Sequence, residues 1–159
     1  MASTVTAATL TVTHSESITL NGQDLSATNE KTIASINEIS KRIVTVTTTE
    51  CVVATFSSAV ASAGHYVAAD VRYIRFTNLD DTNFITLTFR NQDNDEAAIK
   101  VDAGQSFIFN GDNTNGLTAV LNATQDADAA SSANFGALTN IQADADTASC
   151  DLEVFVACV

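Results

Sequence analysis

Carboxylates are the side chains of this sequence best able to do chemistry, and nine of the 19 fall into four clusters. These are Asp80 with Asp81, then Asp93, Asp95 and Glu96, then Asp126 with Asp128, and Asp144 with Asp146. Oxygen-rich loops suit calcium, yet none of the groups carries the EF-hand pattern, with its mid-loop Gly and closing bidentate Glu. Asp and Asn also cap turns by accepting backbone N–H groups two residues on, and that is the favoured reading here. Two carboxylates could in principle hydrolyse a glycoside, but sugar sites use stacking rings, and the chain has no Trp and two Tyr.

The remaining reactive residues are few. His14 and His65 stand 51 positions apart, and neither lies in a His-x-His or Glu-neighbouring ligand pattern. A cupin-type metal centre needs several imidazoles or carboxylates on facing strands, so that chemistry is excluded, and both histidines read as solvent-facing. No Gly-x-Ser-x-Gly elbow and no Gly-rich phosphate loop occurs. Asn122-Ala123-Thr124 matches a glycosylation acceptor at the level of chance. Of the three cysteines, Cys150 and Cys158 cannot pair within one strand, because eight extended residues separate them by roughly 27 Å. They share a face with Leu152, Val154 and Val156 and read as small buried hydrophobes; Cys51 makes the number odd, too few for a secreted disulfide framework. The reading is a non-enzymatic protein with no catalytic, cofactor-binding or metal-binding residues and no cofactor.

With no site to position, the strands themselves carry the information. Residues 71 to 109 form four alternating runs separated by turn clusters, read as a β-meander. Ile74 and Phe76, then Ile85, Leu87 and Phe89, then Ala97, Ile99 and Val101 recur at period two, so each run offers an apolar face to a common core. Residues 43–49 and 51–56 read as two strong strands, the second apolar enough to be buried on both faces. A hairpin is expected about Asn21-Gly22, turns at Asn110-Gly111 and Asn115-Gly116, and short strands near Tyr66 and at 117–123. A long loop follows at 125–136, and the strand 150–159 is greasy enough on both faces to need covering. The single helix candidate is 29–42, where Ile33, Ile36 and Ile43 approach helical spacing.

About eight to ten strands with little helix predict an all-β chain, a jelly-roll-like antiparallel β-sandwich. Residues 1–16 read as an N-terminal arm and 17–159 as one sandwich domain. A net charge of -12 opposes direct contact with nucleic acid or anionic lipid. No run reaches the length of a membrane span and no basic leader opens the chain, so a soluble protein made without a signal is expected. Four of the seven cations lie between Arg72 and Lys100, and residues 101 to 159 contain none, which makes one end acidic. Proline is absent, where ordinary usage gives roughly eight; turns fall to Gly, Asn and Asp.

Within the four runs, Tyr73-Ile74-Arg75-Phe76-Thr77-Asn78, Asp80, Asn83-Phe84-Ile85, Leu87, Ile99-Lys100-Val101 and Ala103-Gly104-Gln105-Ser106-Phe107 resemble small β-sandwich virion structural proteins of tailed bacteriophages. Those proteins often carry Pro-Gly-Glu where this chain has Ala103-Gly104-Gln105. The resemblance covers about a quarter of the chain. It implies a capsid decoration, or cement, protein on the capsid surface of a virion, assembled in the host cytoplasm. It further implies a homotrimer that stabilises the phage head by binding between subunits of the major capsid protein. Another head or tail component remains open. So does a calcium-assisted glycan-binding module using loops 78–83, 91–95 and 110–116. A sandwich hydrolase ranks last.

Overall fold

A computed structural model describes residues 5–60, 62–111, 113–114, 116–117 and 138–159. The described residues are all-β and contain no helix. Among the described residues thirteen strands follow one another: β1 (Ala8–Glu16), β2 (Thr19–Leu20), β3 (Gln23–Asp24), β4 (Ala27–Ile36), β5 (Glu38–Val46), β6 (Cys51–Ser57), β7 (His65–Val67), β8 (Val71–Asn78), β9 (Ile85–Asn91), β10 (Glu96–Val101), β11 (Ser106–Asn110), β12 (Leu138–Ala145) and β13 (Cys150–Cys158). Their contacts divide the chain into Met1–Glu38 with Val159, and Ile39–Cys158.

In the second unit, two sheets form a β-sandwich. One has the order β10-β9-β12-β6-β7, the other β11-β8-β13-β5. Every registered pair in them is antiparallel except β6 with β7. Inward residues of both sheets form one core, including Phe76, Ile74 and Val154 from one side and Ile85, Leu87 and Ile141 from the other. Phe89 meets Phe107 and Phe109 of the opposite sheet with ring centroids 5.6 Å apart in each case, a specific lock added to area burial. Leu117 is also in this core; the rest of the strand expected at 117–123, and the loop expected at 125–136, lie outside the described residues.

The four runs at 71–109 are strands, but they do not form a meander. β8 and β11 pair in one sheet, while β9 and β10 pair in the other. Period two tells which side of a strand is inward but not which sheet it joins. The links 79–84 and 102–105 cross the roughly 10 Å between packed sheets. The apolar face expected on β10 is mostly exposed: Ala97 and Ile99 face solvent and Val101 alone of the three is buried, because β10 is an edge strand. Val52 corrects the reading of 51–56 as buried on both faces, since it is 54% exposed. β13 lies between β8 and β5, its inward row from Cys150 to Cys158 is buried in the core, and Phe155 on its other face packs against Tyr73 and Arg75.

The helix expected at 29–42 is replaced by β4 and β5. Ala8 pairs with Ile36 and Leu10 with Ile33, so β4 spends one more residue than β1 across this step, a β-bulge. Ser35, at φ 63, takes up the extra residue in the left-handed region. The bulge resets the alternation, so Ile33 and Ile36 are both buried although three apart. Their helix-like spacing is the signature of the bulge, and the β-branched Thr and Ile content of the stretch favours strand.

In the first unit, β1 and β4 form a two-stranded antiparallel ladder from Ala8 opposite Ile36 to Glu16 opposite Ala27. β2 and β3 extend the expected hairpin, turned by Asn21 at φ 51 and Gly22 at φ 79. Asn110-Gly111 does not turn a hairpin. Gly111 instead continues the β11–β8 ladder by donating to the Arg72 carbonyl, so close to Val71 that a side chain there would collide with its carbonyl.

Candidate functional site

Four links, 47–50, 79–84, 102–105 and 146–149, cross between the sheets and gather at one end of the sandwich. Backbone hydrogen bonds join them: Gly104 donates to Asp80, Ala145 to Thr47, and Asp146 to Phe84, at 3.0, 2.9 and 3.2 Å. Asp80 accepts the backbone N–H groups of Thr82 at 2.8 Å and Asn83 at 2.6 Å. Those two bonds, Asn83 first, hold its carboxyl below the usual carboxylate range. Buried Asn78 ties the loop down, accepting from the Asp80 N–H and donating to the carbonyls of Asn83 and Val101. Asp80 is thus a turn-forming group, as its sequence context predicts. Beside it, burial and then the Asp80 charge push the Cys150 thiol up, keeping it a neutral, core-filling group.

Loop 91–95 uses the same device with a buried amide. Asn91 Oδ1 accepts from the N–H groups of Asp93 and Asp95 at 2.9 and 2.7 Å. This loop leaves β9 at the end opposite 79–84, roughly 20 Å away along the strand. Asn110 pairs with Tyr73 near the start of β8, so the chain after β11 also departs from the far end of the sheet. The three loops named for glycan recognition therefore do not converge. Asp144 is on β12, Asp146 just beyond it, and Asp126 and Asp128 lie outside the described residues. Among the described residues no three His, Cys, Asp or Glu side chains are grouped to hold a metal ion.

His14 lies exposed on β1, as a solvent-facing residue should. His65 departs from expectation: it opens β7, is half-buried, and lines a cavity of about 240 Å³ with Arg42, Val52, Val53, Ala54, Thr55, Ala63 and Gly64. Arg42 points inward from β5 and donates through Nη2 to the Val53 carbonyl. Gly64, at φ 84, lies against the guanidinium, where any side chain would collide with it. Arg42 and His65 are the ionisable liners and no carboxylate joins them, so the cavity offers hydrogen-bond donors rather than an acid–base pair. Sequence reasoning does not single out Arg42. The available signal is its place in the alternate row with Val44 and Val46.

Both outer faces of the sandwich carry polar networks. On the four-stranded sheet, Glu153 accepts Lys41 at 3.0 Å and Arg75 at 2.5 Å, and Arg75 lies 5.9 Å over the Phe155 ring. On the five-stranded sheet, Arg90 binds Glu96, and Gln142, with its amide turned to satisfy both ends, bridges Glu50 at 3.0 Å and Arg90 at 3.1 Å. In the first unit the apolar side chains of the hairpin are uncovered. Ile18 and Leu20 share a face at period two, and the Leu25 N–H donates to the Ile18 carbonyl, placing Leu25 directly opposite. All three are about half exposed.

Comparison of the chain with protein-family models, with curated proteins and with solved structures gave no match in any of the three.

Proposed function

We propose that this chain is a virion structural protein of the capsid decoration type, working by adhesion as a homotrimer bound to a major capsid protein. The observation that carries the reading is the first unit. Its β1–β4 ladder is exposed along nearly all of both strands, and its hairpin presents Ile18, Leu20 and Leu25 to solvent. A two-stranded ribbon is marginally stable alone in water. Copies of the chain, or a shell, would cover its apolar face and its edges.

The sandwich supports the same reading by its strand order. β5-β13-β8-β11 faces β6-β12-β9-β10, which is the order two interleaved Greek keys give in a jelly roll. That architecture serves capsid proteins, lectins and cupins alike, so the fold alone does not choose among them. The choice rests on an interior filled with Ile, Leu, Val and Phe and on outer faces whose polar networks suit contact. Many copies of a modest contact would bind strongly through avidity.

Light scattering on the purified chain is the test. Three times the chain mass is expected, and binding to phage heads lacking their decoration should raise the temperature at which those heads rupture. A stable monomer that leaves rupture unchanged overturns the proposal.

A further inference from the structure

Arg42 stands apart from the other cations of this acidic chain. Lys41 and Arg75 bind Glu153, Arg90 binds Glu96, and Lys100 binds Asp102. Arg72 donates to the Ala69 carbonyl, and Lys31 is exposed on β4. Arg42 is half-buried on the inward row of β5, and among the described residues no carboxylate pairs with it. Its Nε is buried and has no acceptor. Orphaned buried donors are rare in native interiors and mark a place where a water, an ion or a ligand completes the bonding.

We infer that the cavity beside Arg42 binds a carboxylate. The guanidinium presents a planar fork of donors that matches the two oxygens of that group, and its single charge is balanced by one carboxylate. Val52, Val53, Ala54 and Ala63 line the same cavity and suit the alkyl stem that carries the carboxylate, which a fully hydrated phosphate lacks. The volume of about 240 Å³ is ample for a carboxylate and its short alkyl stem. Gly64 leaves room for the guanidinium, because a side chain there would meet its terminal nitrogens. Turning from the Val53 carbonyl to an entering carboxylate gives Nε its acceptor. Two sources supply the same chemistry: a free small carboxylate, or an Asp or Glu side chain of a second copy, each chain carrying 19 of these.

The full chain is titrated with sodium acetate and sodium propionate, with sodium chloride at equal ionic strength as control. Carboxylate should raise the melting temperature by a few degrees near saturation, through the linkage that any native-state ligand supplies. It should also move the Arg42 Nε–H resonance in nitrogen–proton NMR spectra. Arg42→Gln should abolish the thermal response, and the resonance titration on the unaltered chain decides the matter even if that variant fails to fold. A resonance that does not move, or moves equally with chloride, overturns the inference, as does an undiminished thermal response in folded Arg42→Gln.

Light scattering during the titration separates the sources. A mass that falls as carboxylate is added assigns the natural occupant to a second copy; an unchanged mass with a shifted resonance assigns it to a free molecule. The inference is independent of the assembly reading, since a monomer that binds carboxylate satisfies it.

Discussion

The β1–β4 and β8–β13 pairs are antiparallel ladders of similar length, yet their side chains meet opposite fates. β1 carries Thr9, Thr11, Thr13 and Ser15 with half-buried Leu10 and Val12, and in β4 Ile33 and Ile36 are its buried residues. In β8 and β13, Ile74, Phe76, Leu152, Val154 and Val156 are fully buried. The backbone bonds are of the same kind in both, and each is worth only a modest net amount because water offers its own. What separates the two is apolar burial, at roughly 25 cal/mol per Å² removed from water. A ladder gives the chain its extended form, while the face beneath it supplies most of the stability.

Hydrogen exchange offers the strongest test of this contrast. Amides of β8 and β13 should open only with global unfolding, on the order of 5 kcal/mol or more, while those of β1 and β4 open at much lower cost. Equal protection in the two ladders would break the comparison. Next in size, Phe76→Ala should destabilise the chain by about 3–5 kcal/mol in urea titrations. Leu20→Ala should stay within about 0.5 kcal/mol in the same measurement where the hairpin is left exposed, and a larger loss would show that another copy covers it.

Gly116→Ala should cost roughly 1–3 kcal/mol by the same assay, because Gly116 has φ 58 and packs against the Ala68 carbonyl. The smallest effect concerns acid. Backbone bonds hold Asp80 below its ordinary value of 3.8, and bonds from Ser26 do the same for Asp24 in the hairpin. A depressed folded value gives stability that is complete above the unfolded value and lost as pH falls through the folded one. Melting curves between pH 5 and pH 2 should therefore show a shallower acid limb in Asp80→Asn than in the unaltered chain. Asp24→Asn should leave the limb unchanged, because its hairpin contributes little to the cooperative transition. A matching loss from both variants would place the hairpin inside that transition.

Much of the sandwich is legible in the amino-acid order. Strong hydrophobes at period two mark β8, β9 and β13, and Asn21-Gly22 marks its hairpin. β12 escapes such a reading although it lies centrally in its sheet, because its inward side chains beyond Ile141 are Ala143 and Ala145, too small to stand out against Asn140, Gln142 and Asp144. The false helix at 29–42 comes from a bulge that mimics a three-residue period. Asp80 is legible as a turn former. The Arg42 cavity is not, since its walls come from β5, β6 and the chain entering β7.

Residue order alone determined the local quantities: which stretches extend, which side of each is greasy, where the chain reverses, and that the surface is acidic. These depend on neighbours a few positions apart, through sterics and alternation. Partnership was decided only in three dimensions. Whether β8 adjoins β9 or β13, whether Ile99 is covered, and what surrounds Arg42 depend on segments far apart in the chain, because an apolar face specifies that it must be buried without specifying against which strand.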